Sequence, residues 1–539
     1  MFKCVFVTTY YPSFINSVYH NHPGLEQESY NQQLSFLQSL CFGDSDFYSY
    51  WFRKQGIDAE DIVFNCQHLQ NSWARENSFR GRPIEILLQQ LKALRPDIIY
   101  FHDMNLLTRE VFFEIKDLAS LIVGQIASKV HQRIFIDGFD LIISSLPNLV
   151  QGFRQKGKCS YYLPLAFDHR IANKLNIDET KQYDITFIGG ITDAHSGSTA
   201  LLEYLCQHTN ILIWGYGIDL LPADSLIRNR HQGELWGKDM FRVLHQSRIT
   251  LNRHINTAEN YANNMRLFEA TGSGALLLTD YKNNLSELFS IGDELLAYRS
   301  PEEAMELINY FLENKDEITK ISHNGYMKTL EHHTYEKRMW ELSDILYRHL
   351  RYKNQFSHIK IDYSKISSDY SQMSESTITD ELLNGWKSDL IPIQQRALTN
   401  KEIYDMFSNK IPLPYHVLIT ILKRIVNTRD SILEIGCSTG YYSEVINYLL
   451  PKSITYSGVD YSYSMIKLAK EYYPNQNFLV ADGAFLCLKD RTFDIVISGG
   501  VILHCKNYNE HIIESVRVSK KYIVFHRTPA CKNPKTSVS

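Results

Sequence analysis

The residues with the clearest chemical meaning in this chain are 431–440, SILEIGCSTG. An apolar strand pattern runs into Glu434, and Gly436, Ser438 and Gly440 follow at alternate positions, with a helix-like stretch over 441–450 behind them. Glycines at a strand-to-helix turn let a cofactor approach the backbone, because no Cβ stands in the way. Two further strand-like runs end in acids, GVDYS at Asp460 and VADGA at Asp482. The G-x-G-x-x-G spacing of dinucleotide-binding turns is absent, so the loop points to another cofactor.

A second constellation occupies 248–280, RITLNRHINTAENYANNMRLFEATGSGALLLTD. Here Asn264, Arg266 and Glu269 precede Gly272 and Gly274 and a strand pattern ending at Asp280. A carboxylate on a helix can accept both hydroxyls of a ribose, and a guanidinium can clamp a diphosphate through paired hydrogen bonds. Upstream, ITFIGG ends in Gly189 and Gly190, and ILIWGYG puts Gly215 at another strand end. Ligands of open parallel sheets collect beyond the carboxyl ends of the strands. The three features therefore converge on one nucleotide-sugar site. Taken alone, F-E-A-x-G-x-G also reads as a capped helix running into a buried strand.

Sugar transfer by direct displacement needs a base within hydrogen-bond reach of the acceptor hydroxyl. The candidates are His20 and His22 in the loop expected after the first strand, and His102–Asp103 after DIIYF. Asp103 is the best placed of these, and it reads equally as the N-cap of MNLLTREVF. Asp44 and Asp46 match D-x-D but end no visible strand, so no metal site is expected.

The elements that must position these residues are β-type runs alternating with amphipathic helical segments, the pattern of layered α/β domains. A length of 539 residues suggests about three or four units. CVFVTT, DIVFN, DIIYFHD, SLIVGQIA, LIISSLP and YYLPLAFD build a first half over 1–170. YDITFIGG, ILIWGYG, RITLNRH and ALLLTD build a second over 171–351, closed by a long helical tail from Glu302. Two Rossmann-like halves in series describe the GT-B architecture. Residues 352–380, rich in Ser, Tyr and Asp, read as a linker, and a third block spans 381–539.

Composition narrows the class further. The chain is 44% hydrophobic and 22% charged with net charge −4, so no basic excess marks nucleic acid as a partner. The 34 Tyr suit sugar-ring stacking or added core packing. The N-terminus lacks the features of a secretory signal, and no run of about 18 apolar residues predicts a membrane span. The 9 Cys are scattered without a C-x-x-C pair, which indicates neither zinc nor a disulfide framework and leads us to expect a reducing cytoplasm.

Residues 1–345 resemble the GT-B glycosyltransferases of the spore-maturation (glycosyltransferase family 1-like) type, most specifically in N-x-R-x-F-E and in HHTYEKRMWEL. The resemblance implies that Glu269 holds the donor ribose and Arg266 the phosphates, with a glycan or polysaccharide precursor as acceptor. Many related enzymes carry another Glu about where Tyr261 stands, so whether the anomeric centre is retained or inverted stays open. The acid-tipped ladder over 384–527 resembles the class I S-adenosylmethionine-dependent methyltransferases. That resemblance implies a methionine and ribose pocket shaped by Glu434, Gly436 and Gly440. It gives the ribose hydroxyls to Asp460 and the adenine amine to Asp482, with Ser438 in place of a usual glycine. His504, after FDIVISGG, could deprotonate a methyl acceptor or simply start a helix. A full domain of that class carries a further helix and hairpin, so this one reads as C-terminally shortened. The expectation is a two-enzyme fusion. Its rivals are an inactive methyltransferase-like docking module and a non-catalytic sugar-binding or coat-assembly protein.

Overall fold

The computed structural model describes residues 2–175, 180–191, 196–356, 390–450, 452–505 and 507–528. The chain divides into two compact units, the first of Met1–Phe153 and Ser160–Leu350, the second of Arg154–Cys159 and Arg351–Ser539.

The first unit holds two parallel sheets. β1 (Lys3–Thr8), β2 (Asp58–Val63), β3 (Ile98–Phe101), β4 (Leu121–Gln125), β5 (Leu141–Ser144) and β6 (Ser160–Tyr162) lie in the order β2-β1-β3-β4-β5-β6. β7 (Tyr183–Ile188), β8 (Leu212–Trp214), β9 (Ser247–Asn252), β10 (Leu276–Asp280) and β11 (Leu296–Tyr298) lie in the order β11-β10-β9-β7-β8. Strands such as β1 and β3 are apolar and buried along almost their whole length, as a parallel sheet covered by helices on both faces requires. The strand order reverses between β1 and β3 and between β9 and β7. Crevices therefore open at the carboxyl ends of those strands.

The chain returns to the first half after the second sheet is complete. The helical tail is three helices, and the last, Tyr335–Phe356, packs on the first half: Ser343 Oγ donates to Gln55 at 2.7 Å, and the Tyr335 ring lies between Phe47 and Tyr48. Just before it, Phe167 and Thr334 form a parallel bridge, with the Phe167 and Tyr335 amides donating to the His333 and Phe167 carbonyls. Beside that bridge Arg170 closes on the buried Asp168 at 2.6 Å and on Asp46 at 2.8 Å. Two α/β halves tied by a returning C-terminal helix make the GT-B arrangement.

One expected loop is a helix. Residues after β1 form Pro12–Asn21, because Pro12 suits the first helical position and Phe14, Ile15, Val18 and Tyr19 make one buried stripe. The tail helix runs to Phe356, into the segment read as linker, and residues 357–389 lie outside the described residues.

The second unit is one parallel sheet of β12 (Ser431–Ile435), β13 (Thr455–Asp460), β14 (Asn477–Val480), β15 (Phe493–Gly499) and β16 (Ser519–His526), ordered β14-β13-β12-β15-β16. Its order reverses at β12, which puts the crevice directly above the 436–440 loop. Two helices, Leu390–Phe407 and Leu413–Ile425, precede the sheet, and among the described residues no helix is long and apolar enough to cross a membrane.

Candidate functional site

In the first unit the site is built around Arg266, the first residue of the helix Arg266–Gly272. Asn264 fixes where that helix starts. Its side-chain oxygen accepts from the Leu267 amide at 3.2 Å, and its amide donates to Asn252, the last residue of β9, at 2.8 Å. The Arg266 side chain thus crosses to the end of β7, where Nη2 donates to the Ile188 carbonyl at 3.1 Å. Nη1 lies 2.9 Å from Glu269 Oε2, off the line of a hydrogen bond, and Nε and Nη1 are buried with no hydrogen-bond partner. Burial draws the Arg266 guanidinium down from its ordinary pKa against the opposing charge of Glu269. Burial raises Glu269, with Arg266 opposing and the Asp44 charge adding to the rise.

The glycine loops meet at the same place. The Gly189 amide donates to the Trp214 carbonyl at 3.0 Å, and a Cβ on Gly215 would sit 1.8 Å from the Gly189 oxygen. Gly190 lies under the Tyr216 ring, 2.5 Å from where its Cβ would be. Gly189, Gly190 and Gly215 therefore stand with Arg266, Glu269 and Asn264. Gly272 and Gly274 do not. They lie at the far end of the helix, where β10 begins, and have packing and turning work there. Gly272 faces the Phe167 ring, and Gly274 takes φ +75° while its carbonyl accepts from Lys181. For these two the capped-helix reading describes the structure.

Across the cleft, the candidate bases separate. Asp103 caps the short turn Met104–Leu106 through the Asn105 amide at 2.9 Å. His22 is exposed at the end of the helix Pro12–Asn21, with Nδ1 2.9 Å from the Val18 carbonyl. His102 instead turns inward, placing Nδ1 3.1 Å from Asp44 Oδ2. The other Asp44 oxygen accepts the Tyr335 hydroxyl at 2.8 Å. Asp46, the second acid of D-x-D, is taken by Arg170. No local pattern reveals this cluster, since Tyr335 stands 291 positions from Asp44.

In the second unit the 436–440 loop wraps the end of β13. The Gly436 and Cys437 amides donate to the Val459 carbonyl, and the Ser438 amide donates to Asp460 at 2.9 Å. Gly436, Ser438 and Gly440 all have positive φ, so Ser438 holds a glycine-like conformation. Asp460 also accepts from the Ser462 amide at 2.9 Å, and burial raises its pKa despite both bonds. Glu434 is buried beneath the loop, where the Tyr456 hydroxyl donates to it. Burial, opposed by that bond and reinforced by Asp460, pushes its pKa up to about 8. Asp482, exposed two residues past β14, accepts from the Ala484 amide at 2.9 Å. Burial, with the Asp482 and Asp460 charges adding to the rise, pushes the Cys505 thiol up to about 11. His504 is exposed on the turn after β15. No motif marks His511, which is buried with Nε2 2.9 Å from Ser498 Oγ and packed against Gly483 behind the Asp482 loop.

Comparisons with known proteins fall on the same two regions. The family described as glycosyl transferase-like matches residues 199–344, and the family described as methyltransferase domain matches residues 433–524. A malonyl-[acyl-carrier protein] O-methyltransferase of Bacillus anthracis is 34% identical over 110 residues, 20% of this chain and 40% of that protein, so the chain spans well under half the length of this relative. A glycosyltransferase from Rickettsia africae overlays 65% of this chain and 99% of its own at 10% identity and a TM-score of 0.43. An Anabaena protein crystallised with UDP and glucose overlays 64% of this chain and 99% of its own at 12% identity and a TM-score of 0.41. The chain carries a glycosyl transferase-like domain of GT-B architecture and, after it, a methyltransferase domain.

Proposed function

We propose that the first unit transfers a sugar from a nucleotide-sugar donor to a glycan or polysaccharide-precursor acceptor. The observation that carries this reading is Arg266. Two of its buried nitrogens lack a protein hydrogen bond, at the strand ends where Gly189 and Gly215 leave the backbone bare. A buried guanidinium left unsatisfied is costly unless an anion completes it, and a diphosphate supplies paired acceptors. Glu269 beside it offers oxygens to ribose hydroxyls, and Asn264 holds the helix that presents both. Incubation with UDP-, GDP- and dTDP-linked sugars, followed by release of the nucleoside diphosphate, tests the reading. No binding and no release with any of them would defeat it.

For the second unit we propose S-adenosylmethionine as methyl donor. The residues fit that molecule. Asp460 and Asp482 stand at and just past the ends of the neighbouring strands β13 and β14, the Thr439 hydroxyl in the loop is buried without a partner, and Tyr461 and Phe485 stay exposed on the adjoining turns, 41% and 63%. The bound cofactor supplies an electrophilic methyl group on a sulfonium. The chain's own part is to hold the ribose at Asp460 and the adenine at Asp482, and to keep the loop backbone open at Gly436 and Gly440. His504, on the exposed turn after β15, is the base proposed for the acceptor of that methyl group. Calorimetry with S-adenosylmethionine tests binding, and His504→Ala tests the base. The scattered Cys, with no C-x-x-C pair, lead us to place the chain in a reducing, cytoplasmic setting.

A further inference from the structure

Outside the groups that hold the donor, the most unusual polar arrangement in the first unit is the loop between the helices Tyr30–Ser39 and Phe47–Lys54. Within it Cys41, Gly43 and Ser45 all take positive φ, at 58°, 59° and 45°, two of them without the freedom of glycine. Such conformations persist only where the surroundings over-determine them, and they cluster at functional sites. Here the surroundings are specific. Ser45 Oγ donates to the Gln38 carbonyl at 2.7 Å, and the Lys238 amide, from the donor half, donates to the Leu40 carbonyl at 2.8 Å. What the strained loop delivers is Asp44. Its carboxylate faces His102 at the end of β3 and Tyr335 on the returning helix, and its charge is felt by Glu269.

We propose that His102 is the general base of the sugar transfer, that Asp44 orients it, that Tyr335 fixes Asp44, and that the reaction inverts the anomeric centre. This rests on the nucleotide-sugar reading of the cleft. The His102 ring is clamped between Phe6, Tyr48 and Tyr100, with centroids 5.5, 4.4 and 5.3 Å away. His102 Nδ1 is buried 3.1 Å from Asp44 Oδ2 without an aligned hydrogen bond, and with its proton turned toward that carboxylate the lone pair lies on Nε2. Hydrogen bonds of this kind are often long or poorly aligned until the reacting complex forms. Burial pushes the Asp44 carboxyl up, but the neighbouring His102 and the Tyr335 hydroxyl hold it below its ordinary range. Asp44 therefore stays ionised and can stabilise the imidazolium that forms. In the step itself the acceptor O–H proton passes to Nε2 as the oxygen forms its bond to the anomeric carbon. The bond from that carbon to the diphosphate oxygen breaks, and its electron pair leaves on the diphosphate. One displacement inverts the centre.

The test uses the full chain and the panel of UDP-, GDP- and dTDP-linked sugars of known anomeric configuration. For a donor the wild type consumes, proton NMR during turnover shows the inverted anomer first. His102→Ala lowers turnover by about a hundredfold or more, while affinity for the nucleoside diphosphate stays within about twofold, and added imidazole restores part of the rate. His102→Gln, closer in volume, keeps the wild-type melting temperature and the same loss of rate. Asp44→Asn lowers kcat with little change in KM. A retained anomer, undiminished turnover in His102→Gln, or absence of imidazole rescue overturns the proposal while leaving donor binding intact. If the wild type binds no nucleotide and consumes no donor, the nucleotide-sugar reading itself fails, and this proposal goes with it.

Discussion

Arg266 and Glu269 illustrate how a buried pair can be both a stabilising contact and an unfinished one. Their charges lie 2.9 Å apart, yet the guanidinium keeps donors that no protein group fills. Arg266→Ala and Glu269→Gln should each weaken nucleoside-diphosphate-sugar binding by more than about tenfold, since each removes a charged or doubly accepting partner worth about 1.5–3 kcal/mol. Calorimetry measures this, and unchanged affinity in both variants would place the donor elsewhere. Glu434 makes a prediction of another kind. Its folded pKa of about 8 lies above the unfolded value of about 4.3, so the folded state binds the extra proton between them. The stability this contributes is fully present below about pH 4.3 and is lost as pH rises through about 8. The methyltransferase unit should therefore melt at falling temperature between about pH 5 and about pH 8. Glu434→Gln should flatten that slope in scanning calorimetry.

Loops and short helices carry the positioning. The turns after β7 and β8 touch backbone to backbone, and a methyl group on Gly215 would meet the Gly189 carbonyl at 1.8 Å, where no side chain can move aside. Gly215→Ala should cost about 1–3 kcal/mol in urea unfolding and weaken donor binding as well, because Gly189 must shift. A variant with normal stability and binding would show that these turns are more pliant than their contact suggests. The chain's exit from the first half is pinned by Arg170, which bonds Asp168 and Asp46 and lies over the Tyr50 ring at 3.6 Å. Those hydrogen bonds raise its pKa in spite of burial. Arg170→Ala leaves the buried Asp168 without its cation and should cost about 3–5 kcal/mol. Denaturant titration followed by intrinsic tryptophan fluorescence is the measurement, since Trp51 Nε1 donates to the same Asp168 at 3.3 Å.

At the scale of the whole molecule, the chain is two compact units with separate cores and separate candidate ligands. A ligand that binds only the folded form of one unit stabilises that unit by mass action. Scanning calorimetry of the full chain should therefore show two transitions. S-adenosylmethionine should raise one and a nucleoside diphosphate the other. A single transition raised by either ligand would mean that the two units unfold as one.

The strands, their sheet-end glycines and the acids that follow them were legible because each depends on a few consecutive residues. The apolar runs of β1, β7 and β12 and the loop at Gly436–Gly440 are local signals, and the structure has them where the sequence put them. The Pro12–Asn21 helix was missed because a polar stretch with two histidines hid a stripe of only four buried side chains. Gly272 and Gly274 matched a motif while serving the far end of its helix, a difference that depends on how Phe167 packs. Asp103 and His102 are neighbours in sequence, and only tertiary structure turned one to cap a turn and the other toward Asp44. The partnership of Asp44 with His102 and Tyr335 exists because a strained loop, a strand end and a returning helix meet in space. Side-chain periodicity and spacing do not record such a meeting. Sequence therefore determined the α/β architecture and the two kinds of domain, and packing between distant segments decided which polar groups face each other.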